Sequence, residues 1–210
     1  MAAGYLKRKT GAPNAIGEKV REIAGLWRAF YNTPDAFDPE AGFDRLLADG
    51  DRFRIGDLDV RVMLSPGHTL GSITYVVGDA VFAHDTFMQP DSGTARADFP
   101  GGSAAMLYDS LMAILALPDD FRIFIGHDYG AEGRDAPAWE STVAEQKASN
   151  KHLGGGVEKD EYVKLREGRD ATLNLPDRML HALQVNLRGG RLPEPEADGN
   201  SYFKIPANRF

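Results

Sequence analysis

The segment from residue 53 to residue 83 limits the fold more than any other part of the sequence. It contains four apolar, partly β-branched runs of strand length, at residues 53–55, 58–64, 72–77 and 80–83. A glycine–aspartate pair joins the first run to the second, and another joins the third to the fourth; such pairs are typical of tight β-hairpin turns. The pattern predicts two consecutive hairpins, and therefore a sheet that the rest of the chain must cover.

Apolar residues at helical spacing lie on both sides of this segment. A helix is predicted over residues 17–31, and Ser103 is predicted to cap a helix that runs to Leu117. Residues 43–47 are expected to form a short helical turn or connector, and residues 121–125 a further strand. The remaining predicted helices cover residues 138–150, 158–173 and 178–188. Hairpins followed by βα units and a helical end indicate the α/β or α+β class, with a mixed sheet packed by helices.

The composition limits the classes of partner. Hydrophobic residues make up 42% and charged residues 26% of the 210 residues, as in globular domains. The net charge is -7 and the longest basic run is Lys7-Arg8-Lys9, so no nucleic-acid partner is expected. Neither an apolar run of membrane-spanning length nor a signal-peptide pattern occurs. We therefore expect no membrane partner and a cytoplasmic location.

Three candidate metal ligands each follow a predicted strand: His68, Asp85 and His127. Strands that end at the same rim of a sheet would bring these side chains together. Because the chain has no cysteine, any metal must be held by its five histidines, by carboxylates and by water. Imidazole and carboxylate suit zinc, iron and manganese, and two His with one carboxylate is the composition of the non-haem Fe(II) facial triad. A capping or core role is the alternative for each histidine.

The motifs around these residues resemble those of the metallo-β-lactamase fold superfamily. They are Pro66-Gly67-His68-Thr69, Gly78-Asp79, His84-Asp85-Thr86 and Gly126-His127-Asp128. Residues 91–102 (DSGTARADFPGG), 107–129 and 192–206 resemble, more narrowly, the persulfide dioxygenases (sulfur dioxygenases) of that superfamily. The resemblance extends over almost the whole chain, from Tyr5 to Pro206.

The resemblance implies a mononuclear Fe(II) enzyme of sulfide metabolism. Such enzymes use O2 to oxidise the outer sulfur of glutathione persulfide, giving sulfite and glutathione. His68 and Asp85 match the family's iron ligands. His127 matches the histidine that binds the second metal in dinuclear relatives. In an iron enzyme it is expected to contact a metal ligand and not the metal itself. Zinc is the alternative metal.

Two residues are candidates for substrate binding. Arg96 lies in the loop that would flank the substrate pocket, where its guanidinium could pair with a glutathione carboxylate. The alternative for Arg96 is a loop-fixing salt bridge with Asp91 or Asp98. Tyr129 follows the His127 motif and is expected either to line the pocket or to pack in the core.

Two of the sequence's departures from the family's pattern concern the metal site. The family's first metal motif, His-x-His-x-Asp-His, is absent, because no histidine precedes His68. The expected consequences are a site without its third protein ligand, and an uncovered sheet face through which a homodimer could form. His84 stands where the family usually has glycine. In an extended strand it would point away from Asp85, so it could replace the absent ligand only if the backbone bends there.

The expected fold is an N-terminally truncated, metallo-β-lactamase-like αββα sandwich. Residues 1–130 are predicted to form this partial domain, and residues 131–210 a helical C-terminal extension packed on it. Three functions are compatible with the sequence: a persulfide dioxygenase, a dinuclear-zinc thiolester hydrolase like the glyoxalase II relatives, and a non-catalytic half-domain. His152 is expected as a cation at a helix end, and Trp27 and Trp139 as packing residues.

Overall fold

The computed structural model describes residues 2–208. The helices are α1 (Ala3–Thr10), α2 (Val20–Tyr31), α3 (Pro39–Gly42), α4 (Ala104–Leu115), α5 (Val143–Ser149), α6 (Lys159–Asp170) and α7 (Met179–Asn186). The strands are β1 (Ala15–Gly17), β2 (Arg45–Leu47), β3 (Arg52–Ile55), β4 (Leu58–Leu64), β5 (Ile73–Val77), β6 (Ala80–His84), β7 (Arg122–Ile125) and β8 (Glu140–Thr142).

The chain forms two compact units. The terminal unit consists of the chain up to Leu47 and from Asn174 onward, and the sheet unit is Ala48–Leu173. Neither boundary coincides with the division predicted at residue 130. The reason is that α5 and α6 both pack against α4 inside the sheet unit, so residues 131–173 belong with the strands that precede them.

The sheet unit is built on a six-stranded mixed sheet in the order β3-β4-β5-β6-β7-β8. The predicted hairpins β3–β4 and β5–β6 are both present, and Gly56 and Gly78 adopt the positive φ that their turns require. After β6 the chain crosses through α4 to reach β7, which pairs with β6 in parallel. The parallel pairing places the ends of β6 and β7 at the same edge of the sheet.

One face of this sheet is covered by α4. Ser103 caps the helix as predicted, because its side chain accepts a hydrogen bond from the Met106 backbone N–H. The completely buried side chains between this face and α4 include Val81, Leu107, Leu111, Ile114 and Ile123. On the opposite face Phe82 stacks on Phe124 at a centroid distance of 5.2 Å and is 45% exposed. The main core of the sheet unit therefore lies between the strands and α4.

The terminal unit has its own core around α2, whose buried face carries Val20, Ala24, Trp27 and Tyr31. The Tyr31 hydroxyl donates a hydrogen bond to the Leu180 carbonyl of α7. One expectation for this part of the chain was wrong. Within the segment 43–47 the structure has strand β2, because it pairs in parallel with β1.

Of the two tryptophans expected to be packing residues, Trp27 is 5% exposed and Trp139 is 65% exposed. Within residues 2–208, no helix has both the length and the apolar character needed to cross a membrane.

We expect the α4–sheet contact to dominate the stability of the sheet unit. Leu111→Ala should lower the free energy of unfolding by about 3 kcal/mol, because it leaves a cavity at a completely buried site. Leu58→Ala is the matched control, since Leu58 is 57% exposed, and it should cost less than about 1 kcal/mol. Urea denaturation followed by circular dichroism measures both, and equal losses would contradict this description of the core.

Candidate metal centre

The candidate centre lies where β6, β7 and the loop after β4 meet. Asp85 follows β6, is 8% exposed and contacts imidazole rings through both carboxylate oxygens. His68 Nε2 lies 3.8 Å from Asp85 Oδ2, and His127 Nδ1 lies 2.5 Å from Asp85 Oδ1. The structure therefore brings together the three side chains that the sequence singled out.

Close backbone approaches position Asp85 and His68. A Cβ atom at Gly126 would lie 2.8 Å from Asp85 Oδ1, so this glycine makes room for the carboxylate. Gly67 has a φ of 135°, and a Cβ atom there would lie 2.3 Å from Leu107 Cα. The loop that carries His68 can rest directly on α4 only because residue 67 has no side chain.

The protonation of His68 is set by its surroundings. Its side chain is 15% exposed, and burial lowers the pKa of the imidazole from its ordinary value. Nδ1 lies 2.8 Å from the Arg96 carbonyl oxygen. Since a carbonyl can only accept, the proton of the neutral ring resides on Nδ1. The Nε2 lone pair is then available on the side of Asp85, which is the form that binds metal ions.

His84 departs from the extended geometry assumed from the sequence. The pairing of β6 with β7 shifts register between Phe82 and His84, and His84 has a φ of 50°, in the left-handed region. The bend turns the side chain toward Asp85 instead of away from it. His84 Nδ1 lies 3.6 Å from Asp85 Oδ2, the same oxygen that His68 approaches.

Arg96 forms the loop-fixing salt bridge that was one of its two expected roles. Its guanidinium makes two hydrogen bonds of 2.6 Å to the carboxylate of Asp98 and lies 4.8 Å from the centroid of the Phe99 ring. Tyr129 is 78% exposed, which excludes the core role that was one of its two alternatives. Its ring stacks on His127 with centroids 5.9 Å apart.

Arg134 is a residue of this region that the sequence did not reveal. It bonds the carboxylates of both Asp91 and Asp128, and so ties the loop after β6 to the loop after β7. Arg134 holds the pKa of the Asp128 carboxyl well below its usual range. Its pairing partners lie 43 and 6 residues away in sequence, a separation that no local pattern indicates.

A buried polar network holds the loop segment 94–97, which carries Arg96. Arg166 of α6 donates to the Thr94 carbonyl at 3.0 Å and pairs with Asp170 at 2.7 Å. Asp170 also accepts from the Ala97 backbone N–H at 2.8 Å. The Arg96 carbonyl, which orients His68, lies between these two anchored residues.

His152 completes this network and corrects an expectation. Its side chain is buried, and Nδ1 accepts a hydrogen bond from the Thr94 backbone N–H at 2.9 Å. Burial lowers the pKa of His152 to about 4, with the nearby cation of Arg166 as the next cause. At neutral pH this ring is therefore an uncharged acceptor and not the expected helix-end cation.

The donor atoms around Asp85 suit a metal ion by their chemistry, and the two distances to Asp85 Oδ2 are compatible with a shared ion. Two ligand atoms each about 2.1 Å from one ion lie at most about 4.2 Å apart. The distances from Asp85 Oδ2 to His68 Nε2, 3.8 Å, and to His84 Nδ1, 3.6 Å, are within this limit. Within residues 2–208, no group of three or more His, Cys, Asp or Glu side chains is already arranged to hold an ion. Binding would therefore require the rings to turn toward the carboxylate.

The chain is similar to known proteins over almost its entire length, although no protein-family model matches it. It is 61% identical over 205 residues to a beta-lactamase hydrolase-like protein of Agrobacterium fabrum. The aligned region covers 98% of this chain and 47% of that relative. It is 45% identical over 216 residues to a probable metallo-hydrolase of Burkholderia pseudomallei, covering 98% of this chain and 73% of that protein. The chain belongs to the metallo-β-lactamase superfamily.

Two solved structures confirm the predicted metallo-β-lactamase fold. One is a metallo-beta-lactamase from Staphylococcus aureus, with a TM-score of 0.67 and 18% identity over 93% of this chain and 58% of that one. The other, the crystal structure of ETHE1 from Myxococcus xanthus, has a TM-score of 0.72 and 29% identity, over 91% of this chain and 72% of that one. Metallo-β-lactamase homologues in general bind iron or zinc. The chain spans about half the length of the Agrobacterium relative.

The buried pair on α6 should be essential to the order of the His68 region. Asp170→Asn should lower the free energy of unfolding by about 3 kcal/mol, because Arg166 is left as a buried cation without its carboxylate. The matched control is Asp109→Asn, which removes the carboxylate of an exposed ion pair with Lys159 of α6. It should cost less than about 1 kcal/mol. Similar urea midpoints for the two variants would contradict the role given to Asp170.

His152 should make the stability depend on pH. Its folded-state pKa of about 4 lies below the ordinary 6.5, so the unfolded chain binds more protons between these values. Stability should be complete above about pH 6.5 and fall toward pH 4, by up to about 1.4 kcal/mol per pH unit. His152→Gln should lack this contribution, whereas His181→Gln, at an exposed histidine, should follow the wild type. Parallel wild-type and His152→Gln curves from urea titrations would refute the assignment.

Proposed function

We propose that the protein is a mononuclear Fe(II) persulfide dioxygenase acting on glutathione persulfide. The overall reaction combines the persulfide, O2 and water to give glutathione, sulfite and two protons. The resemblance of residues 91–102 to the persulfide dioxygenases supports this substrate. Further support comes from the place of that loop, whose Arg96 carbonyl bonds His68.

The observation that carries the proposal is the position of His127. Its Nδ1 is bonded to Asp85 Oδ1 at 2.5 Å, on the oxygen that does not face His68. A ring engaged in this way orients a ligand and supports its charge. This pairing favours one ion at His68 and Asp85 over a pair of ions with His127 as a ligand of the second.

The roles of the chain's own residues follow from this arrangement. His68 presents Nε2 in a fixed tautomer, Asp85 supplies the anionic oxygen, and His127 holds the carboxylate in place. Fe(II), when bound, supplies the O2 chemistry that protein side chains lack.

The residues at the rim of the centre would position the tripeptide. The Arg96 guanidinium could exchange Asp98 for a glutathione carboxylate while its face remains on Phe99. The exposed ring of Tyr129, stacked on His127, offers an apolar surface beside the same centre. The substrate would then span the centre from Arg96 and Phe99, beside His68, to Tyr129, beside His127.

A zinc thiolester hydrolase of the glyoxalase II type is the second candidate. The name of the Burkholderia relative, a probable metallo-hydrolase, favours it. This function requires a second zinc ion, and therefore a His127 released from Asp85. A non-catalytic half-domain that forms a homodimer would show neither activity.

Activity measurements on the metal-loaded chain separate these functions. With Fe(II) loaded anaerobically, the protein should consume O2 in the presence of glutathione persulfide and release sulfite, and Asp85→Asn should abolish both. His127→Ala should lower the activity about 10- to 100-fold without abolishing it, as expected for a residue that supports a ligand. Hydrolysis of a glutathione thiolester by the zinc-loaded protein, without O2 uptake by the iron form, would refute the proposal.

A further inference from the structure

His84 occupies an unusual backbone position at the edge of the candidate centre. A φ of 50° is costly for a residue with a side chain, by about 1 kcal/mol or more. The bulge between β6 and β7 fixes this conformation, since the Gly126 backbone N–H donates to the His84 carbonyl at 3.2 Å. Such outliers concentrate at functional sites, where a bulge redirects a side chain.

The redirected ring faces one particular oxygen of Asp85. His84 Nδ1 and His68 Nε2 lie 3.6 and 3.8 Å from Oδ2, whereas His127 Nδ1 bonds Oδ1. The carboxylate is thus divided between a hydrogen-bonded oxygen and an oxygen flanked by two imidazole nitrogens. Two imidazole nitrogens and one carboxylate oxygen are the ligand set of the facial triad.

We propose that His84 Nδ1 is the third protein ligand of the metal ion in this chain, together with His68 Nε2 and Asp85 Oδ2. The inference rests on the proposed metal function of His68 and Asp85, and it adds a ligand that precedes Asp85 directly in the sequence. It also gives a reason for an imidazole at a backbone position that favours glycine.

The surroundings of the two remaining rings support His84 over His127. The His84 side chain is 64% exposed, so its ring can turn toward an ion without repacking. The His127 ring is held by its bond to Asp85 and by its stacking on Tyr129. The ring centroids of His84 and His127 are 6.3 Å apart. The two histidines are therefore neighbours, and either one is a candidate for the third protein ligand.

Nitrogen NMR of the five histidines tests which rings bind. Zn²⁺, a diamagnetic probe, is added to the uniformly ¹⁵N-labelled chain, and long-range ¹H–¹⁵N spectra are recorded. We expect large shifts of His68 Nε2 and His84 Nδ1, while His127 keeps its Nδ1 proton toward Asp85. A ligation shift on His127 in place of His84 would overturn the proposal.

Metal affinity provides the second test, with Co²⁺ as a spectroscopic probe of the full chain. His84→Gly suits the left-handed backbone, and it should weaken Co²⁺ binding at least about tenfold and change the visible absorption of the bound ion. The control His181→Ala, which removes an exposed imidazole of the terminal unit, should leave the affinity unchanged.

A third variant distinguishes failure of this inference from failure of the proposed function. If His68→Ala abolishes Co²⁺ binding while His84→Gly binds like the wild type, the metal site stands and His84 is not a ligand. If the wild-type chain binds no Co²⁺, both the site and the role of His84 are overturned.

Discussion

The carboxylate of Asp85 is the interaction on which the candidate centre depends. It is almost completely buried at the end of β6, where the absence of a side chain at Gly126 makes room for it. A buried carboxylate needs partners, and here the His127 imidazole donates a hydrogen bond to Oδ1, while Oδ2 faces the ring nitrogens of His68 and His84 at 3.8 and 3.6 Å. The parallel pairing of β6 with β7 brings His127 to one oxygen, and the loop after β4 brings His68 toward the other.

The second condition for the centre is the fixed orientation of His68, which depends on parts of the chain far from it in sequence. The Arg96 carbonyl selects the tautomer of His68, and that carbonyl lies in a loop anchored on both sides by Arg166 and Asp170. Helix α6 therefore does more than pack against α4. Through its buried ion pair it holds the loop that keeps His68 Nε2 directed at Asp85.

Much of this architecture can be predicted from local sequence patterns. The two hairpins follow from alternating strands and glycine turns, and the start of α4 follows from the capping side chain of Ser103. His68, Asp85 and His127 each follow a predicted strand, and this placement indicates that they meet at one edge of the sheet. These features depend on residues close together in the sequence, so local patterns are sufficient to predict them.

Other features depend on tertiary contacts, and local patterns do not reveal them. The bend at His84 arises from the register shift against β7, a strand about 40 residues later in the chain. Extended geometry would have turned this ring away from Asp85. The burial of His152 has the same kind of cause, since its partners Thr94 and Arg166 come from distant segments. Strands β1 and β2 are too short to be recognised without the partner with which each pairs.

The central claim is that one ion binds at the Oδ2 side of Asp85. Anomalous diffraction at the iron edge, from crystals grown anaerobically with Fe(II), tests it most directly. The account predicts a single peak about 2.2 Å from Asp85 Oδ2 and His68 Nε2, with His127 still bonded to Oδ1. Two peaks about 3.5–4 Å apart that share Asp85, with His127 bound to the second, would contradict it.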